Sequence, residues 1–260
     1  MSGWEELGLN WTEDGDPAAP VLVLSNALGG NLEMWAPQLP VLVERCRVLR
    51  YDQRGHGGSP VLPGPYLLED LAGDVLALLD HLEVSSASFA GASLGGLIGL
   101  WLGAHVPERI DSLVVCGSSA RLDDREEELA RAAAARSGGT SELVASTVER
   151  WFTPHFREHR AEEVADYGAM IAGTDDEAYA RCCEVLAHAD LLGELPAITA
   201  PTLVISGAED PVTPPEHGAL IAEGIAGRAD FEVVERAAHL VGVERADVVN
   251  DLLAGHLPAG

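Results

Sequence analysis

Two nearly continuous apolar runs, "VLVLSN" at 21–26 and "CRVLRYD" at 46–52, constrain this chain more than any other feature. A strand that is apolar on both faces must be covered on both faces, which is the situation of a strand inside a parallel sheet. "SLVVCG" (112–117), "TLVISG" (202–207) and "FEVVE" (231–235) supply later strands. Between them run helical patterns. Leu68, Leu71, Val75, Leu78, Leu79 and Leu82 form one apolar stripe at helical spacing, a helix begins near Pro215, and a last helix spans about 246–253. Strands alternating with helices predict an α/β fold: a mostly parallel central sheet with helices on both faces.

Within this alternation, "FAGASLGGLIGL" at 89–100 packs four glycines around a lone serine. Gly91-Ala92-Ser93-Leu94-Gly95 fits G-x-S-x-G. That pattern marks a sharp strand-to-helix turn holding a serine hydroxyl clear of the sheet, and Ser93 is the candidate nucleophile. A serine hydroxyl is a poor nucleophile until a base takes its proton, usually a histidine held by a carboxylate. The partners are expected downstream, in the order Ser, acid, His. "SGAEDPVTPP" follows a strong strand and places Asp210 in the turn beyond it, with the adjacent Glu209 as rival. "ERAAHLVGVERADVV" follows the last strand and places His239 in a loop between two small alanines and the final helix. Two backbone N–H groups are expected to receive the oxyanion: that of Leu94, after the nucleophile, and that of Ala27, in the "SNALGGN" loop after the first apolar run. His56 and Arg54, in "QRGHGG", read as structural.

From 121 to about 195 no strand pattern occurs. "REEELARAAAARSGG", "SELVASTVERWF", "AEEVADYGAMIAG" and "DDEAYARCCEVLAHADLL" all read as helices. The expected organisation is a sheet domain made of 1–120 and 195–260, with a helical cap inserted at 121–194 over the strand ends where ligands bind.

The 260 residues include 42 acidic side chains and 16 basic ones, all of them arginine, for a net charge of −26. Such a surface repels nucleic acid and anionic membrane. No run of about 18 apolar residues occurs, and the acidic start "MSGWEELGLN" is unlike a secretory leader. A cytoplasmic protein is expected. Cys46, Cys116, Cys182 and Cys183 form neither a C-x-x-C pair nor a zinc spacing, and read as buried reduced thiols.

With Ser93, Asp210, His239, "SNALGGNLEMW" and "VLRYDQRGHGGSP" in place, the chain resembles the α/β-hydrolase superfamily over nearly its whole length. More narrowly, "LSNALGGNLEMWAPQLPVL", "WFTPHF" and "YARCCEVLAHADL" resemble the β-ketoadipate (3-oxoadipate) enol-lactonases. The resemblance implies hydrolysis of a small anionic enol-lactone to β-ketoadipate, a late step of aromatic catabolism, with no metal or cofactor. An anionic substrate calls for a local cation. Arg150, Arg157, Arg160 and Arg181 in the cap are the candidates, and Trp35 and Trp151 are candidates to line the pocket. The same three residues would equally serve a general carboxylesterase or lactonase, or a carbon–carbon bond hydrolase, and this fold also serves ligand receptors that do not turn over. Dehalogenases and epoxide hydrolases are disfavoured, because they place aspartate where Ser93 stands. The oligomeric state is left open by the sequence.

Overall fold

The computed structural model describes residues 7–258; part of the N-terminal stretch behind the cytoplasmic expectation lies outside them. Seven strands form one sheet: β1 (Trp11–Asp14), β2 (Val21–Ser25), β3 (Arg47–Tyr51), β4 (Ala87–Ala92), β5 (Ile110–Cys116), β6 (Thr202–Gly207) and β7 (Ala229–Val234). Their spatial order is β1-β3-β2-β4-β5-β6-β7. All neighbours are parallel except the edge strand β1, which runs antiparallel to β3. β1, "WTED", has too few apolar residues to stand out in the sequence. It is placed by pairing with β3, and the ion pairs Arg47–Glu13 and Arg50–Asp14 bridge the two strands.

The doubly apolar strands sort their side chains as expected. Val23, Leu49, Phe89, Leu113, Val115 and Val204 enter one core, and Leu22, Leu24, Val48, Ala90, Val114, Leu203 and Ile205 enter the other. Helices α1 (Leu68–His81) and α2 (Leu94–His105) cover the first face through Leu71, Val75, Leu78, Leu97 and Ile98. The last helix, which proves to be Ala246–His256, covers the second through Val249 and Leu253.

Between β5 and β6 the chain leaves the sheet for five helices: α3 (Arg125–Gly138), α4 (Thr140–Trp151), α5 (Pro154–His159), α6 (Ala161–Ala172) and α7 (Asp176–His188). The short α5 begins where Thr153 caps it and Pro154 opens it. The excursion is closed at its base, where the Leu191 N–H donates to the Ala120 carbonyl at 2.9 Å. Two longer helices follow β6: α8 (Pro215–Gly224) before β7, and α9, the Ala246–His256 helix above; single helical turns also form at Leu39–Leu42 and Val241–Glu244.

Arg54 and His56 pin the loop after β3. Arg54 holds Asp74 of α1 through two hydrogen bonds of 2.6 and 2.8 Å and also reaches the Asp70 carbonyl. His56 is fully buried. Its Nδ1 lies 2.9 Å from the Arg54 carbonyl, which can only accept, so Nδ1 carries the proton; burial pushes the imidazole pKa down and keeps the ring neutral. All four cysteines are buried free thiols.

The tightest point is the β4–α2 turn. A Cβ at Gly91 would lie inside contact distance of the Gly95 carbonyl, and one at Gly95 inside contact distance of the Ser25 carbonyl. Neither obstacle is a side chain that could swing away. Gly91→Ala is therefore expected to cost about 3 kcal/mol, read as a lower urea midpoint with an unchanged slope.

Candidate active site

Ser93 sits on the turn with φ 52° and ψ −112°, a conformation that side chains rarely adopt. Four hydrogen bonds hold the turn there. The Ser93 N–H donates to the Cys116 carbonyl (2.9 Å), and the Ser93 carbonyl accepts from Leu97 N–H (3.0 Å) and Ser118 Oγ (2.7 Å). The Gly95 N–H donates to the Asn26 carbonyl at 3.0 Å, tying α2 to the loop after β2. The outcome is a hydroxyl fixed clear of the sheet.

The Ser93 Oγ lies 2.9 Å from His239 Nε2, and His239 Nδ1 lies 2.8 Å from Asp210 Oδ2. The carboxylate only accepts, so Nδ1 carries the proton and Nε2 is free to accept from Ser93. The carboxylate is buried and takes four donors: Val212 N–H (2.8 Å), Thr213 N–H (3.0 Å), Thr213 Oγ1 (2.8 Å) and the imidazole. Burial alone would push the Asp210 carboxyl up. The charge that His239 carries when protonated and its hydrogen bond, with the N–H donors of Thr213 and Val212, outweigh burial and hold it below the usual carboxylate range. Glu209, its rival, is exposed. The structure thus brings Ser93, Asp210 and His239 into one chain of hydrogen bonds. Thr213, whose Oγ1 is also 3.4 Å from His239 Nδ1, went unnoticed in the sequence. Its place three residues after an aspartate in a turn is the signal that could have found it.

Leu94 opens α2, so its N–H is one of the first-turn donors that a helix leaves without an internal partner. Ala27 is aimed by the peptide that precedes it. The Asn26 carbonyl accepts from both Gly95 N–H (3.0 Å) and Gln53 Nε2 (2.9 Å), which fixes that peptide plane. The Ala27 N–H points the opposite way and donates to the thioether sulfur of Met34 at 3.2 Å. Sulfur is a weak acceptor that a stronger one displaces.

A cavity of about 560 Å³, counting its open mouth, meets Ser93 and His239. Trp151 lines it. Trp35 does not: it lies on the far side of His239, beside a smaller apolar void shared with Met34, Ala92 and Leu240. Of the four cap arginines singled out from the sequence, Arg150 reaches the cavity. Arg157 instead faces Glu149, Arg160 faces Glu163, and Arg181 is bound to Glu177 and to the Leu62 carbonyl. The cavity has two more cations that the sequence reading did not single out, Arg121 and Arg131, against one carboxylate, Glu128. Arg131 is held by Glu128 at 3.1 Å and by the Tyr179 hydroxyl. Burial, with the charge of Arg131 next to it, pushes the pKa of Arg150 down. A signal for Arg131 was present. The stripe Glu128, Ala132, Ala135 faces the core, so a glutamate on that stripe called for a cation one turn away.

Chemically, this is a strained serine, an oriented base, the N–H groups of Leu94 and Ala27 and a cavity lined by arginines, which together suit attack on the carbonyl of an anionic ester. The α/β-hydrolase fold model matches residues 20–246, and the chain belongs to the α/β-hydrolase fold family. It is an enzyme, a carboxylic ester hydrolase. It is 40% identical to 3-oxoadipate enol-lactonase 2 of Acinetobacter baylyi, over 95% of this chain and 91% of that protein. A crystal structure of the enol-lactonase from Burkholderia xenovorans superposes with a TM-score of 0.93 at 41% identity, covering 95% of each chain. A Stutzerimonas stutzeri protein with the provisional name carbamate hydrolase RutD is 33% identical over 93% of both chains. Among the described residues, no helix is long and apolar enough to cross a membrane.

The strain at Ser93 is measurable by itself. Ser93→Gly removes the side chain that opposes φ 52° and is expected to raise the free energy of unfolding by about 1 kcal/mol, by urea titration.

Proposed function

We propose that this enzyme opens an anionic enol-lactone of the 3-oxoadipate enol-lactone type to the corresponding keto acid, through an acyl-enzyme on Ser93. The observation that carries the reading is the charge around Ser93. In a chain of net charge −26, three arginines and one glutamate line the cavity beside the nucleophile. Asp190 and Glu127, the partners of Arg121 and Arg150, are about half exposed, so those two guanidinium groups can turn from them to a substrate carboxylate. The names of the relatives, a 3-oxoadipate enol-lactonase in Acinetobacter and an enol-lactonase in Burkholderia, support an enol-lactone substrate.

His239 Nε2 takes the Ser93 proton as Oγ bonds to the lactone carbonyl carbon. The charge on the former carbonyl oxygen falls to the N–H groups of Leu94 and Ala27, with the Met34 sulfur yielding its place. The ring C–O bond then breaks. The leaving oxygen departs as an enolate, and the His239 imidazolium gives up its proton to it, which restores the base; the enol then becomes the ketone, so departure needs little help from a general acid. Water, deprotonated by His239, attacks the ester on Ser93; the bond from the acyl carbon to Oγ breaks, His239 returns the proton to Oγ, and the second carboxylate is freed. Asp210 holds the imidazole in the tautomer both steps need. In this reading residues 121–194 act as a cap over a sheet domain of 1–120 and 195–260, Arg150 and Arg131 hold the substrate carboxylate, and the enzyme works in the cytoplasm in aromatic catabolism.

The test is a substrate panel of the enol-lactone, a neutral γ-lactone, p-nitrophenyl acetate and a simple carbamate. The enol-lactone is expected to give the highest kcat/KM, and a preference for the carbamate or the neutral ester would displace the reading. Ser93→Ala should lose turnover by about 10³-fold or more on every substrate accepted. Asp210→Asn should lose about 10²- to 10⁴-fold.

Arg150→Ala separates charge recognition from chemistry. The partner of Arg150, Glu127, is largely exposed, so the substitution strands no buried charge. The variant is expected to lose about 30- to 1,000-fold in kcat/KM on the anionic lactone and to keep its activity on p-nitrophenyl acetate. Equal losses on both would remove Arg150 from substrate recognition.

A further inference from the structure

The two residues that flank His239 are both tied to one segment of the helical excursion. On one side, the Leu240 N–H donates to the Trp151 carbonyl at 3.0 Å. On the other, the Ala238 N–H donates to Glu244 Oε2 at 2.6 Å. The second oxygen of the same carboxylate, Oε1, accepts from Thr153 N–H at 3.0 Å and Thr153 Oγ1 at 2.7 Å. Trp151 ends α4 and Thr153 caps α5, so Trp151-Phe152-Thr153 is the strap between two helices of the excursion. Trp151 also lines the cavity beside Arg150. The His239 loop thus has two anchors, and both lie on the strap that forms the cavity wall.

The carboxylate of Glu244 is unusual in what it accepts. Its three donors are two backbone N–H groups and a hydroxyl, and no cation is among them. Burial, aided by the nearby charge of Glu209, pushes its pKa up, and the three donors oppose that. A half-buried acid without a cation is kept at a cost, so the geometry it imposes needs a reason.

We infer that Glu244 is a positioning residue that clamps the His239 loop to the Trp151–Thr153 strap, so that the imidazole is aligned on Ser93 only while the excursion is seated against the cavity. The inference rests on the reading of His239 as the base. Glutamine cannot replace the carboxylate. Its amide has one acceptor oxygen, and its NH₂ must face either Ala238 N–H or the Thr153 donors, donor against donor. A displaced Ala238 shifts the ring one residue away, and small misplacements of a base are costly in rate.

The experiment is kinetic and spectroscopic, on the full-length enzyme. Glu244→Gln is expected to lower kcat by about 10- to 100-fold on both the enol-lactone and p-nitrophenyl acetate, with KM changed less than about threefold. The hydrogen bond from His239 Nδ1–H to Asp210 is expected to give the wild type a downfield proton resonance, and in the folded variant that resonance is expected to broaden or vanish. Thr153→Val, which removes one donor to the same carboxylate, is expected to give a smaller loss of kcat. The double variant should lose no more than Glu244→Gln alone, because both act on one clamp. If Glu244→Gln fails to fold, Thr153→Val and its resonance decide alone. Wild-type kcat with an unchanged downfield resonance, or losses that multiply in the double variant, would overturn the inference. A wild type that hydrolyses none of the substrates would instead overturn the reading of the site.

Discussion

The close approach of α2 to the end of β2 is the constraint on which the rest of this protein depends. The Gly95 N–H reaches the Asn26 carbonyl, and no side chain fits between the two segments. That contact forces the β4–α2 turn to be sharp, and the sharp turn puts Ser93 at φ 52°. The same contact, with the Gln53 amide on the same carbonyl, sets the plane of the Asn26–Ala27 peptide and the direction of its N–H. One backbone hydrogen bond therefore sets both the Ser93 turn and the Ala27 N–H, which in the proposed reading are the nucleophile and an oxyanion donor. The strain is sustained because two strands and a helix already hold the segments on either side.

The second organising fact is where the charge lies. Acidic residues cover this protein, yet the cavity at Ser93 carries a local excess of arginine. The two kinds of site follow different physics. Exposed carboxylates cost little in water. A guanidinium such as Arg131 is held in place by Glu128 and the Tyr179 hydroxyl. In a desolvated cavity a charge acts over the substrate's own dimensions, because little water is there to screen it. The acidic exterior and the cationic interior are compatible for that reason.

The helical excursion supplies the rest. It brings Arg131, Arg150 and Trp151 to the cavity and, through Trp151 and Thr153, holds the loop of His239. In the proposed reading, then, the segment that recognises the substrate also aligns the base. This makes specificity and chemistry depend on one another, since in that reading a shift of the strap moves the imidazole.

The doubly apolar runs at β2, β3, β5 and β6 were legible because a strand buried on both faces leaves no room for polar residues, and the glycines around Ser93 were legible because only they fit a backbone packed so closely. The placement of Asp210 and His239 in loops beyond strand ends was legible for a related reason: parallel strands deliver their following loops to one edge of the sheet. β1 was not, because "WTED" has no pattern of its own and is a strand only through its pairing with β3. The cations of the cavity were not legible either. Arg157, Arg160 and Arg181 look like Arg150 along the chain, and Arg131 looks like any arginine on an acidic helix. Only the folded chain separates them, since it decides which helical face turns toward Ser93. The residues near in sequence were determined by local sterics and periodicity. Contacts between residues far apart, such as Glu244 with Thr153 or Arg131 with Tyr179, exist only once the layers pack, and tertiary structure alone decided them.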